Sequence, residues 1–364
     1  MLRDFHAITI AEVKRETPDA VSIAFTIPEA LRDAFRFQAG QHLTLRTQLD
    51  DEEVRRNYSI CSGPGDAMRI AIKRIDGGYF SVWANQELVS GGVLDVMPPQ
   101  GRFVLPESDG SPRHVVAIAA GAGITPILAM VKQALRHEPK TSFTLVYGNR
   151  TPDTILFREE LEDLKDRYLG RFTLLHVLSR NDESSTPLLE GRITADKVKT
   201  LSDKLFRPED VAHVFLCGPG SMIKETRNAL FALGFARDTV HHEFFAPGGG
   251  AFRKPHATGQ PAAAPPAPGK VEGTEVVAIL DGMRHAFIVP TGEHVVDAAL
   301  AAGIRVPYAC KGGMCCTCRA KVVEGTAEMT TNYSLEPWEI ERGFILTCQA
   351  VPKSDRLVVD YDQM

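Results

Sequence analysis

The chain has no surplus of positive charge, no unbroken apolar run and no internal repeat, and each absence removes a class of function. With 41 Lys and Arg against 46 Asp and Glu, the net charge is -5. A polybasic surface for nucleic acid or anionic lipid is therefore not expected. The first ten residues mix Arg3, Asp4 and His6 into apolar neighbours and lack an apolar core followed by a small-residue cleavage site, so no export signal is expected. The longest apolar run, 115–131, is interrupted by Gly121, Gly123, Thr125 and Pro126, where a membrane-spanning helix would be continuous. Cysteine is scarce through most of the chain: of seven, only Cys61 and Cys217 lie outside the last 55 residues. Unpaired thiols combined with metal-ligand spacing point to a reducing compartment, the cytoplasm.

What is present is an ordinary globular composition, 44% hydrophobic and 24% charged over 364 residues. At roughly 150 residues per domain that length predicts two or three domains. The clearest boundary is 246–270, where 18 of 25 residues are Ala, Pro or Gly and Phe252 is the one large apolar side chain. Such a segment cannot offset its ordering entropy by burial, and it reads as a linker spanning roughly 25 to 30 Å. All the net acidity lies beyond it: residues 271–364 hold 8 basic and 13 acidic side chains, residues 1–270 hold 33 of each.

Residues 1–108 alternate apolar and polar positions between turn signals such as Gly63-Pro64-Gly65 and Asp76-Gly77-Gly78, which predicts an antiparallel β-barrel. Over 109–245 apolar strands (115–119, 143–147, 172–178, 213–216) alternate with helical stretches (127–135, 157–167, 222–233). That alternation predicts an α/β domain with a parallel sheet. In 271–364, segments 275–280 and 285–289 flank Asp281-Gly282, a hairpin signal, and Val295, Val296, Ala299 and Leu300 predict a short helix stopped at Gly303. The tail is thus a small α+β fold.

Cys310, Cys315, Cys318 and Cys348 are spaced C-x4-C-x2-C-x29-C, the plant-type [2Fe-2S] pattern. Three thiolates come from one loop, whose Gly312 and Gly313 let the backbone wrap closely around a cluster. The alternative is a structural zinc site or buried free thiols. Zinc more often takes two Cys-x2-Cys pairs, and His285 and His294 lie well upstream of these cysteines. Cys316 reads as a spectator thiol beside a ligand.

The run from Tyr308 to Cys318 resembles the ferredoxin domain of oxygenase reductases, which implies a β-grasp fold. Arg56, Tyr58 and Ser59 fit the R-x-Y-S flavin motif of the ferredoxin-NADP reductase family, and Gly78 with Ser81 fits its G-x-x-S partner. Chemically, Arg56 can fork onto a pyrophosphate, Tyr58 can pack on the flavin, and Gly78 with the Ser81 hydroxyl can cradle phosphate. The resemblance implies FAD.

Gly121, Gly123, Thr125 and Pro126 match the family's G-x-G-x-T-P segment after an apolar strand. The expected turn has Thr125 as N-cap and Pro126 first in the helix, with the pyrophosphate at the helix start. Cys217, Gly218 and Pro219 match the C-G-P segment that lies beside the nicotinamide in that family, where Cys217 would shape hydride transfer. A buried core thiol is the alternative. Ser179 and Arg180 end a strand where relatives bind the 2′-phosphate, and their donors favour NADPH. A carboxylate, which an NAD-selective site more often places there, comes only at Asp182. Glu243-Phe244-Phe245 resembles the E-x-F ending near the flavin ring; a solvated Glu on a terminal strand is the other reading.

Electron counting joins these parts. A nicotinamide delivers two electrons as hydride, the cluster carries one, and a flavin converts between them. The expected path is NADPH to FAD to [2Fe-2S] to a separate protein. By resemblance that recipient is a di-iron oxygenase, foremost one that epoxidises the ring of phenylacetyl-CoA. The alternatives are an oxygenase of phenol or alkane type, or a redox-sensing role for the whole chain.

Overall fold

The structure, a computed structural model, describes residues 4–180, 186–245 and 273–363. Asp182 and the whole of the predicted linker fall outside these residues. The chain forms two compact units, residues 1–250 and 251–364.

The first unit begins with six strands: β1 His6–Thr17, β2 Ala20–Thr26, β3 His42–Leu49, β4 Glu52–Ser59, β5 Arg69–Lys73 and β6 Val93–Val96. They form one antiparallel sheet in the order β4-β3-β6-β1-β2-β5. Its edge strands approach each other just beyond β4, through an antiparallel bridge between Ile60 and Ile70. The period of two is plain in the core: Ile8 and Ile10, Ile23 and Phe25, Leu43 and Leu45, and Ile70 and Ile72 all point inward. Helix α1 (Tyr79–Glu87), set between β5 and β6, is not expected from the alternation. It buries Phe80 and Ala84 in this core, four residues apart on one helical face.

A parallel sheet follows, built from β7 Arg113–Ala120, β8 Thr141–Asn149, β9 Phe172–Leu178, β10 His213–Gly218 and β11 Val240–Phe244, in the order β11-β10-β7-β8-β9. All four pairings are parallel. Helices α2 (Ile124–His137) and α3 (Arg158–Arg167) cover one face. On the other lie α4 (Ala195–Leu205), which the sequence pattern does not predict, and α5 (Gly220–Ala232). The core under α2 is continuous with residues from the first sheet's side, Ala39, Cys61, Ala71, Phe103 and Leu105.

The second unit has a mixed sheet in the order β13-β12-β18-β14-β16, formed by β12 Gly273–Leu280, β13 Met283–Pro290, β14 Arg319–Glu324, β16 Phe344–Leu346 and β18 Arg356–Asp360. Strands β15 (Ala327–Met329) and β17 (Ala350–Pro352) pair separately, and α6 (Val295–Ala301) and α7 (Pro337–Glu341) complete the α+β fold. The turn between β12 and β13 puts Asp281 at φ 50° and Gly282 at φ 74°. Two successive positive φ values are what a two-residue hairpin needs. The Asp362 carboxylate accepts both turn amides, at 2.9 and 2.8 Å.

Candidate functional site

Strand β4 delivers Arg56, Tyr58 and Ser59, paired with Leu45, Leu43 and His42 of β3. Arg56 donates from Nη1 to the carbonyl of Arg55 at 2.7 Å. The Tyr58 ring lies 5.7 Å from that of Phe80, and burial pushes its hydroxyl far above the usual tyrosine value, so it stays neutral. Gly78 precedes the first turn of α1. A Cβ there would fall 2.6 Å from Ser81 Oγ and 2.9 Å from the Ile75 carbonyl. The buried Ser81 hydroxyl accepts the Ile75 amide at 3.1 Å and donates to the Gly78 carbonyl at 3.4 Å. Ser81 therefore shapes the turn, and the first-turn amides of α1, which have no intrahelical acceptor, are the groups suited to a phosphate. A turn too tight for a Cβ at Gly78, opening a helix whose Phe80 ring lies 5.7 Å from that of Tyr58, fits a flavin nucleotide.

On the parallel sheet, Gly121–Gly123 form a 3-10 turn after β7, with Gly121 at φ 54°. The turn starts the helix earlier than the sequence suggests. Gly123 occupies the N-cap position, and Thr125 and Pro126 are the second and third residues of α2. Thr125 is thus not the N-cap: its hydroxyl donates to the Ala122 carbonyl at 3.0 Å. Gly123 admits no side chain, since a Cβ would stand 2.3 Å from the Cys217 carbonyl oxygen. Gly218, at φ 148°, is also closely packed, with its Cβ position 3.1 Å from the Ala120 carbonyl oxygen. Two closely packed glycine turns thus stand at the ends of the adjacent strands β7 and β10, the end of the sheet at which open α/β sheets take nucleotides. Pro219 then caps α5. Tyr147, not singled out by the sequence, donates its hydroxyl to the Gly121 carbonyl at 3.0 Å; its register opposite Ala119 is a tertiary signal only.

Cys217 is fully buried, and burial, reinforced by Glu243, pushes its thiol well above the usual value. Glu243 lies opposite it on β11, and burial raises its carboxyl to about 8 despite a hydrogen bond that opposes the rise. That bond comes from Ser59 Oγ, at 3.4 Å from Oε2. Ser59, Gly123, Cys217 and Glu243 are therefore brought together from β4, the glycine turn, β10 and β11. Ser179 and Arg180 stand apart, past β9 at the opposite edge of the sheet, with their amides bonded to the carbonyls of Asn149 and Arg150 at 2.9 and 2.8 Å. Arg180 is exposed.

In the second unit Cys318 immediately precedes β14, and Cys348 follows β16, whose neighbour in the sheet is β14. The Cys318 carbonyl accepts both the amide and the hydroxyl of Thr347, at 3.1 and 2.8 Å, which ties the two ligand segments together. In the loop, Lys311, Gly313 and Cys316 all take positive φ, and a Cβ on Gly313 would meet the Thr331 carbonyl at 2.8 Å. Cys310 touches Cys315 and Cys348, and Cys348 also touches Cys318. These contacts, with the Gly312 amide 3.3 Å from Cys310 Sγ, hold the Cys310 thiol well below its usual value. Among the described residues no three His, Cys, Asp or Glu side chains are grouped as a single ion would need. Four cysteines drawn together from one loop and the end of a neighbouring strand suit a [2Fe-2S] cluster, which takes four thiolates. Cys316 turns to Ser334, 3.0 Å away.

Three known domain families match successive parts of the chain. Residues 7–105 match the oxidoreductase FAD-binding domain, 117–228 the oxidoreductase NAD-binding domain and 278–353 the 2Fe-2S iron-sulfur cluster binding domain. Over 98% of both chains, 43% of residues are identical to a subunit of the 1,2-phenylacetyl-CoA epoxidase of Escherichia coli. The ferredoxin reductase component of 3-ketosteroid-9-alpha-monooxygenase from Rhodococcus rhodochrous is 36% identical over 97% of this chain and 96% of that one. In fold, the chain is similar to phthalate dioxygenase reductase, with a TM-score of 0.60 and 24% identity over 98% of each chain. Among the described residues no helix is long and apolar enough to cross a membrane. The chain belongs to the family of electron-transfer reductase components of oxygenases that combine an FAD-binding domain, an NAD-binding domain and a C-terminal 2Fe-2S domain.

Proposed function

We propose that this reductase draws electrons from NADPH and delivers them to a di-iron oxygenase, the phenylacetyl-CoA epoxidase, in the cytoplasm. The observation that carries the choice of oxygenase is the 43% identity to the epoxidase subunit, sustained over 98% of both chains. Bound FAD supplies the conversion between a hydride's electron pair and the single electrons a [2Fe-2S] cluster takes.

In this reading the flavin domain is 1–108, the nucleotide domain 109–245, the linker 246–270 and the ferredoxin domain 271–364. Arg56, Tyr58, Ser59, Gly78 and Ser81 hold FAD, the last by shaping its turn. Gly121, Gly123, Thr125, Pro126, Gly218 and Pro219 form the two turns that admit the nicotinamide nucleotide. Ser179 and Arg180 bind the 2′-phosphate; an exposed guanidinium at a strand end is a suitable donor. Cys217 and Glu243 flank the reacting rings, with the Glu243 carboxyl largely protonated at neutral pH. Cys310, Cys315, Cys318 and Cys348 hold the cluster.

The test is anaerobic titration with NADPH and, separately, NADH while flavin and cluster absorbance are recorded, followed by electron delivery to purified oxygenases. NADPH should bleach both chromophores at lower concentration than NADH, and the phenylacetyl-CoA epoxidase should turn over. Equal use of NADH would overturn the nucleotide preference, and better service to a steroid or phenol oxygenase the choice of partner.

A further inference from the structure

Lys132 is an ammonium in the middle of an apolar core. It lies on α2 among Leu128, Ala129, Val131 and Leu135, and its side chain is 2% exposed. Such a charge is costly to bury unless it is paired and hydrogen-bonded. Here it is both. Nζ stands 2.6 Å from Glu160 Oε1 on α3 and donates to the Cys61 carbonyl at 3.1 Å. The other Glu160 oxygen accepts from Arg69 of β5. Burial pushes the Glu160 carboxyl up, but Lys132 and Arg69 outweigh that and hold it below its usual value, so it is ionised. Arg69 in turn closes onto Cys61, its carbonyl accepting the Cys61 amide at 2.8 Å and the thiol at 3.3 Å.

Stability alone gives little reason for this arrangement, because replacing a buried ion pair with well-packed apolar side chains is often neutral or stabilising. Its placement gives a better one. Cys61 ends the segment that carries Arg56, Tyr58 and Ser59, two residues beyond the Ser59 hydroxyl that bonds Glu243. Lys132 sits eight residues into the helix that opens on Gly121–Gly123, about 12 Å along its axis. The segment 59–61 is thus held to the second sheet's side at two points, Ser59 by Glu243 of β11 and Cys61 by Lys132 of α2. Packing there leaves little slack: a Cβ on Gly63 would fall 3.1 Å from Lys132 Cβ.

The geometry points to Lys132 as a positioning residue for hydride transfer: it holds the Cys61 carbonyl and thereby sets the flavin-motif strand against the nucleotide turn, keeping Ser59 on Glu243. This rests on the reading of β4 as the flavin side and of Gly121–Gly123 as the nicotinamide side. Reacting atoms displaced by about 1 Å can lose two orders of magnitude in rate, so a remote anchor is enough to matter.

The test uses the full chain with Lys132→Met, which keeps the length and apolar stem and removes the ammonium. In the flavin-free protein, hydrogen exchange at the amides of residues 59–61 should quicken at least tenfold while the amides of α5 are unchanged. In the FAD-loaded protein, the limiting rate of flavin bleaching by NADPH should fall about tenfold with little change in the half-saturating NADPH concentration, and Lys132→Arg should recover part of it. A Lys132→Met protein whose limiting rate stays within twofold of the unaltered chain overturns the inference. Should that variant not fold, Glu160→Gln removes the counter-ion, and the same twofold criterion decides. An unaltered chain that NADPH cannot bleach would instead sink the functional reading on which the inference stands.

Discussion

Cys217 and Glu243 lie directly across the parallel pairing of β10 and β11, and each is an acid held in its neutral form by burial. Glu243 is in turn hydrogen-bonded by Ser59, which comes from the antiparallel sheet. On the proposed reading of the site, a thiol and a carboxyl that stay uncharged put no negative charge beside the path of the hydride.

Glu243 should make the folded chain less stable as pH rises. Its carboxyl is raised from 4.5 to about 8, so the folded state holds a proton that the unfolded state releases. The contribution is complete below 4.5 and is lost as pH climbs to about 8. Glu243→Gln stays neutral throughout and should melt higher than the unaltered flavin-free protein at pH 9, with the gap closing by pH 4. Melting curves at the two pH values decide it; an equal gap at both refutes the assignment.

Gly123→Ala should disrupt the nucleotide turn. Its φ is -62°, ordinary for alanine, so the obstacle is steric: the new Cβ would meet the Cys217 carbonyl oxygen at 2.3 Å. Overpacking of this kind costs about 1–3 kcal/mol. Urea unfolding should register the loss, and flavin reduction by NADPH should fall by more than an order of magnitude. A variant as stable and as fast as the unaltered chain would mean the turn yields easily.

Cys348→Ser and Cys316→Ser should differ sharply. Cys348 touches two other cysteines, whereas Cys316 bonds to Ser334. Iron and acid-labile sulfide assays should find the cluster lost or deficient in the first variant and near full complement in the second. Loss in both would make Cys316 part of the ligand cage.

Glu339, 1% exposed, pairs with Arg319 at 2.9 Å and joins α7 to the residue after Cys318. The Arg319 guanidinium also lies over Phe344, 3.5 Å from the ring centre. Glu339→Ala removes the carboxylate from a buried ion pair and should cost roughly 3–5 kcal/mol. The double change Glu339→Leu with Arg319→Met should cost much less. Thermal melting of the ferredoxin unit followed by cluster absorbance would show it, and equal losses in both variants would place the cost in packing instead.

The site is legible in the sequence wherever its chemistry is local. The cysteine spacing, the glycine turns and the Asp281-Gly282 hairpin each depend on a few consecutive residues whose conformation is set by their own φ and ligating atoms. Thr125 shows where that stops. A Thr before a Pro reads as an N-cap, yet the Gly121–Gly123 turn begins the helix sooner and turns the hydroxyl back onto Ala122. Helix α1 is hard to see in advance because nine residues between a turn and a short strand carry too little periodicity to stand out.

By itself, then, the order of residues determined which cofactors the chain can hold, because thiolate spacing and glycine turns act over short stretches of backbone. Only the tertiary structure decided which distant groups share an environment: Ser59 with Glu243, Lys132 with Cys61 and Glu160, Arg319 with Glu339. Those meetings arise from sheet order and helix packing, and at Glu243 the same packing excludes the water that would otherwise keep the carboxyl in its ordinary ionised form.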